Sequence, residues 1–178
     1  MIVALAGRRI DAVNAKERRF PLQNVELVRK RVRELLKTEG ATAVVCSAAC
    51  GADLIALSEA ISLGLGRRAV LPFPREHFRQ TSVTDRPGDW GPVYDQVLDD
   101  VEASGNLVVL AETSGDDAYS AANQAILNEA IQMGARLNQP VGAVLVWDGA
   151  SRGDHDITEE FGIEARKLGL PVFERKTI

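Results

Sequence analysis

The sequence predicts an α/β fold: a three-layer, doubly wound domain built on a mainly parallel sheet of about six strands. Three observations predict it. Short apolar runs recur along the chain without polar alternation, as in strands covered on both faces. Segments with helical spacing separate these runs, giving a strand–helix order repeated from one end to the other. Right-handed crossovers then place helices on both sides of the sheet, a Rossmann-like arrangement.

Each element has its own signal. "IVALA" (2–6) is a buried strand that ends at Gly7. Residues 21–39 open on Pro21 and put Val25, Val28, Val32, Leu35 and Leu36 on one helical face, stopping near Gly40. "TAVVC" (42–46) is the second strand, and 53–63 is a helix whose Ala56 and Ala60 allow close packing. "RRAVLPF" (67–73) is the third strand, ended by Pro72 and Pro74. Residues 74–92 read as one long polar connection, a length that often belongs to lids and binding loops. A helix over 93–103 and a strand over 106–111 follow, then a loop, "TSGDDAYS", and a helix over 119–135. "VGAVLVW" (141–147) is the fifth strand, 148–156 a loop, 157–168 a helix and 170–174 a last strand.

Residues 1–178 are the length of one ordinary domain, and no repeat or linker divides them. Hydrophobic residues make up 46% and charged residues 26%, a globular balance. No apolar run reaches the ~20 residues of a membrane span, and the N-terminal apolar stretch is too short for a signal peptide. With two cysteines and no secretory signal, a cytoplasmic location is expected. The net charge is −4, but residues 1–39 carry ten Lys/Arg against five Asp/Glu. The acidic remainder and an aromatic content of 5% argue against nucleic acid as a partner, since strand binding wants stacking platforms in a basic groove. The basic N-terminal part could serve a small phosphorylated ligand. Arg29, Lys30, Arg31 and Arg33 read as the solvated face of a helix.

Ligands in such folds sit at the carboxyl ends of the strands, where strand order reverses. That points to the loops 7–11, 47–53, 72–83, 111–119 and 148–158. In "CSAACGADL" (46–54) a metal clip lacks ligands, because His77 and His155 lie in distant loops, and Cys-x-x-x-Cys is not a redox spacing. No metal and no cofactor are expected. A backbone cradle suits Ser47, Ala48, Ala49, Gly51 and Ala52 better: small residues let amides approach an anion at the positive end of the following helix. Asp53 in its first turn is either a cap or an acceptor for a sugar or base. Gly7 permits a sharp exit from the first strand, and Arg8 or Arg9 could fork onto phosphate. Asn123 could read a base edge or lie on a helix surface, Trp147 could stack or pack, and Arg75 and Arg79 could close over an anion or be solvated.

"GRRID", "SAACGADLIALSEA" and "VLPFPREHFRQTSV", each after a strand, resemble the SLOG superfamily. "ANQAIL" (122–127) and "VWDGASRGDHDITEEF" (146–161) continue the likeness over nearly the whole chain. Within that superfamily the chain is similar to a bacterial group that occurs alone or fused to signalling and repeat modules. SLOG proteins share a Rossmann-like fold with the Lonely Guy phosphoribohydrolases and the DprA/Smf proteins. The resemblance implies nucleotide-type ligand binding at the crest of the sheet. Gly7 and Arg8 would lie beside the ligand, and Ser47, Gly51, Ala52 and Asp53 would form a phosphate or ribose loop. Thr158 falls where the relatives' second glycine-rich loop places its threonine, and Glu160 lies near the acidic residue that follows. It also implies pairing through helices beside the site, hence a possible homodimer.

The chain departs from that pattern in its second loop. It reads Asp148-Gly149 and then Gly153-Asp154-His155-Asp156-Ile157-Thr158, with aspartates in place of glycines. Like charges ~4 Å apart at an effective dielectric of ~20 repel by about 4 kcal/mol, so a phosphate would be crowded there. The leading expectation is therefore a nucleotide or nucleotide-derived small molecule bound by a sensor or regulatory module. The alternative is an N-glycosidase acting on a nucleoside monophosphate or related nucleotide, with Glu160, Glu159 or Asp148 as the carboxylate. Single-strand DNA binding stands third.

Overall fold

A computed structural model describes residues 1–110 and 116–178. Six parallel strands form one sheet: β1 (Ile2–Gly7), β2 (Ala43–Cys46), β3 (Gly66–Leu71), β4 (Leu107–Val109), β5 (Val141–Trp147) and β6 (Val172–Lys176), in the order β4-β3-β2-β1-β5-β6. The chain walks outward from β1 to β4 and then returns to lay β5 against the other side of β1. The strand order therefore reverses between β1 and β5, and the crevice above them is where such sheets hold ligands.

Helices α1 (Val25–Thr38), α2 (Ala52–Ser62), α3 (Arg75–Ser82) and α4 (Trp90–Ala103) belong to the outward walk, and α5 (Asp116–Leu137) and α6 (Ile157–Lys167) to the return. The pleat sorts the core accordingly. Val3 and Leu5 of β1 pack with Val28, Leu35, Leu54, Phe78 and Leu98 on one face; Ile2, Ala4 and Ala6 pack with Ile126, Leu127 and Phe161 on the other. Both faces are dry, and for this reason the strands read as unbroken apolar runs.

The structure corrects several boundaries. The 74–92 connection is not a loop: residues 75–82 form α3, which starts after Pro74 and buries Phe78 and Ser82. On a helix of about 3.6 residues per turn, two positions four apart fall on one face. The next helix begins at Trp90 rather than 93, and the last strand runs 172–176 rather than 170–174. The segment read as the loop "TSGDDAYS" is already helical from Asp116. Residues 111–115, which include the end of the predicted fourth strand and part of the 111–119 loop, lie outside the described residues. The basic face of α1 is also more committed than expected: Arg29 and Arg33 pair with Glu59, buried on α2, and Arg31 donates to the carbonyls of Lys176 and Ile178.

No described helix is long and apolar enough to cross a membrane.

Candidate functional site

A cavity of about 290 Å³ lies above the carboxyl ends of β1 and β2, roofed by the starts of α5 and α6. Gly7, Arg9, Ser47, Asp53, Asn123 and Thr158, all singled out from the sequence, line it together with Ala49, Tyr119, Arg152 and His155. Gly7 is required by close packing, since a Cβ there would stand 2.3 Å from the Cβ of Ala52 and 2.6 Å from the carbonyl of Val146. Gly51 turns the chain with φ +99, where any side chain would press on the Arg8 carbonyl. Ala52 is buried beneath the turn rather than on the cavity wall.

The cradle after β2 is partly spent on the protein itself. The amide of Ala49 donates to Asp53 Oδ2 at 3.3 Å, that of Cys50 to the Ser82 carbonyl at 3.0 Å, and that of Ala52 to the Arg8 carbonyl at 3.2 Å. Cys46 and Cys50 are both reduced and buried, and burial pushes the Cys46 thiol well up. Among the described residues no group of three His, Cys, Asp or Glu side chains is placed to hold a metal ion.

Asp53 is the unusual group. It is 7% exposed, its Oδ1 has no hydrogen-bond partner, and burial pushes its pKa up to about 7 against the pull of the Ala49 amide and the Arg9 charge. An orphaned carboxylate oxygen in a cavity wall asks for a donor. Asp53 is also the one acidic side chain among the described lining residues. Arg9 is held at the rim by Asp85, whose two oxygens it bonds through Nη2, while its Nε is buried without a partner. Arg152 makes no ion pair among the described residues. Crowding by its surroundings, and then the nearby Arg8 charge, lower its pKa.

Arg8 is a correction. It was expected to grip a phosphate, yet its side chain is 1% exposed and fully engaged. Nε donates to Asp148 at 2.8 Å, Nη1 and Nη2 form a fork onto Asp156 at 2.6 and 2.8 Å, and Nη2 also reaches the Ala150 carbonyl at 2.6 Å. Arg19 completes the clamp, donating to Asp148 at 2.6 Å. Asp148 and Asp156, which looked hostile to an anion, are therefore neutralised from inside. Asp156 additionally caps α6, accepting from the amides of Thr158 and Glu159 at 3.1 and 3.3 Å, and from the Arg152 amide at 2.8 Å. Burial alone would raise the Asp156 pKa; the Arg8 and amide hydrogen bonds outweigh it and bring it down to about 2. The N-terminal end of α6 is thus closed by the protein's own carboxylate.

Other expected site residues also lie elsewhere. Glu160 turns into a shallow groove between α5 and α6, accepting from Ser120 at 3.0 Å, and does not face the main cavity. Arg75 is tied to α4 through Asp99 at 2.7 Å and Glu102 at 2.9 Å. Arg79 forks onto Asp95. Asp148 belongs to the clamp, and at Gly149 a Cβ would run into Lys176. Trp147 donates to Glu174 at 3.0 Å with the Arg8 guanidinium 5.5 Å from its ring, so it packs. Asn123 braces the roof, donating to the Ile157 carbonyl at 2.7 Å, and keeps its own carbonyl oxygen unbonded among the described residues.

Sequence reasoning missed Arg152 and His155 as lining residues, whereas Tyr119, four residues before Asn123 on the same helix, joins it on the wall as their spacing suggests. Tyr119 meets Ser82 at 3.0 Å and stands edge-on to Phe73, closing one wall. His155 is held with φ +65, a conformation rare outside glycine, which turns it at the cavity mouth.

No protein-family model and no curated protein matches this sequence. Among solved structures the chain is similar to the X-ray structure of DNA processing protein A (DprA) from Streptococcus pneumoniae, at 15% identity and a TM-score of 0.44 over 96% of this chain. It spans 57% of the length of that protein.

Proposed function

We propose that residues 1–178 act as one nucleotide-binding domain of the SLOG type, in which the cavity above β1 and β2 holds a nucleotide or nucleotide-derived small molecule as a sensor or regulatory module. The single observation that carries this reading is the contrast between paired and unpaired polar groups. Around the cavity, Arg152, Asp53 Oδ1, the Asn123 carbonyl and the hydroxyls of Ser47 and Thr158 lack partners among the described residues, while the charges beside it are matched. Two guanidinium groups at the rim favour an anion, and a wall of Phe78, Tyr119, Ala122 and Ile126 suits a flat apolar body. A ligand anion would compete with Asp85 for Arg9. The volume is at the small end of the ~300–1,000 Å³ usual for ligand pockets, the size of a mononucleotide rather than a larger cofactor.

Cleavage of an N-glycosidic bond is a second reading, favoured by one observation: Asp53 puts a protonatable carboxyl inside the cavity, where Glu160 does not reach. Single-strand DNA binding is less well served. Seven of the nine aromatic side chains, Phe20, Phe73, Phe78, Phe161, Trp90, Trp147 and Tyr94, are buried; of these Phe78 alone lines the cavity, and they offer no exposed row on which successive bases could stack.

Melting temperature and free-base release, followed together across nucleoside mono-, di- and triphosphates, NAD and ADP-ribose, test these readings. Stabilisation without turnover is the expected result; ligand at ~100-fold over its Kd adds about 2.7 kcal/mol. The Arg9→Ala/Arg152→Ala double variant loses that shift. Base release abolished by Asp53→Asn supports the enzyme instead, and no shift with any compound overturns nucleotide binding.

A further inference from the structure

We propose that Asp85 is a built-in stand-in for the ligand's anion. It holds Arg9 until an anion enters the cavity and then passes to Arg86, so that binding moves the turn 85–89 between α3 and α4. The proposal rests on the anion-binding reading above and gives that site an output. Arg9 lines the cavity, and its Nη2 bonds both oxygens of Asp85, which lies outside the lining. Arg86 Nε stands 3.4 Å from Asp85 Oδ2 without making a hydrogen bond. Arg9 Nε and Arg86 Nε are two of the four buried side-chain N and O atoms that lack a partner among the described residues, so the shortfall gathers around this one carboxylate. Asp85 is thus shared by two guanidinium groups and completes the bonding of neither. A second arrangement, with Asp85 on Arg86 and an anion on Arg9, offsets the loss of the first.

The turn is built to follow its aspartate. Its entry is fixed: the Ser82 carbonyl accepts from the Cys50 amide at 3.0 Å, Val83 is fully buried, and Thr84 donates to the Arg79 carbonyl through its amide and its hydroxyl at 3.0 and 3.1 Å. Beyond Thr84 the backbone contributes little. Among the described residues, no amide of 85–89 donates to another backbone group. The segment is held by the Asp85 ion pairs and by Trp90, whose indole N–H donates to the Pro87 carbonyl at 3.1 Å. So few backbone bonds put it at the low-stability end of the fold, from which ligand-driven movements are drawn. The side chains of Arg9 and Asp85 are 26% and 33% exposed, so solvent screens their pair and an entering phosphate can displace it. Trp90 is not among the residues that line the cavity, and a change at its indole therefore reports the turn rather than the ligand.

The test titrates the full chain with pyrophosphate and, separately, with AMP at constant ionic strength. Binding heat and the Trp90 indole N–H resonance, assigned with Trp90→Phe, are followed together. In the wild type the resonance moves with the same dissociation constant as the heat. Asp85→Asn removes the competitor and binds the anion about 3–10-fold more tightly, as expected when Arg9 is freed from a partly exposed pair. Its indole resonance already lies toward the bound wild-type position before any anion is added. Arg86→Gln removes the receiving partner and weakens binding about 2–5-fold. In the Asp85→Asn background the same change has no effect, a coupling that a merely structural role for Arg86 would not give. The wild-type titration stands even where Asp85→Asn folds poorly. Equal or weaker binding by Asp85→Asn overturns the proposal and leaves anion binding intact, as expected if Asp85 only positions Arg9. An indole resonance that stays still while the heat reports binding also overturns it. Silence from both probes, with wild type and Asp85→Asn alike, overturns the anion reading and this proposal together.

Discussion

Two loops at the crest of the sheet handle charge in opposite ways. The loop after β5 is closed: Arg8, Arg19, Asp148 and Asp156 satisfy one another, and Asp156 caps α6. The loop after β2 is open: Asp53 keeps a bare oxygen, and α2 begins with no side-chain cap. Both follow a strand and precede a helix, and both carry a buried aspartate. In the first, the aspartate holds the fold; in the second, it costs stability and faces a hollow. Polar groups that a protein buries without partners mark where selection has traded stability for a site.

Breaking the closed loop gives the largest expected effect. Arg8→Ala leaves Asp156 buried without its cation and Asp148 with Arg19 alone, and urea unfolding should show a loss of about 3–5 kcal/mol. A loss under 1 kcal/mol would mean that the clamp is not what holds the β5–α6 loop.

The open loop predicts the opposite sign. A carboxyl whose folded pKa is raised to about 7 contributes its full stability in acid and loses it as pH rises from ~4 through 7. Asp53→Asn removes that decline. At pH 8 the variant is more stable than wild type by up to about 4 kcal/mol, and at pH 4 the two coincide. Thermal melts across that range check the crossover.

Asp156 sharpens the contrast from the acid side. Its folded pKa is lowered to about 2, so its contribution is present above ~4 and drains away as pH falls toward 2. The wild type should lose about 2 kcal/mol over that window beyond what Asp156→Asn loses. The smallest effects are expected outside both loops. Glu160→Gln and Arg75→Ala should each change stability by under ~1 kcal/mol and leave ligand-induced melting shifts unaltered.

How much of this was legible in the sequence follows the range of each interaction. The number and order of the strands were legible, though not all their ends, because a sheet covered on both faces leaves apolar runs such as 141–147. Gly7, Ser47 and Asp53 could be found because a strand-to-helix turn is local. Helix α3 was missed because Pro72 and Pro74 read as loop, although Pro74 directly precedes a helix and Phe78 marks its buried side. The Asp156 cap was visible in principle, since Glu159 follows it at the spacing of a capping box. The role of Arg8 was not: its carboxylate partners stand 140 and 148 positions away, a distance that only the β1–β5 pairing closes. Glu160 faces the groove between α5 and α6 instead, and a sequence does not say which side of α6 meets the cavity.

Amide chemical-shift mapping of the uniformly labelled chain, titrated with AMP and ADP-ribose, tests the central claim most directly. Gly7, Ala49, Asp53 and Thr158 should shift together with one dissociation constant, while Gly149 and Glu160 stay still. Shifts confined to the α5–α6 groove around Glu160 and Lys167, or none above β1 and β2, would contradict it.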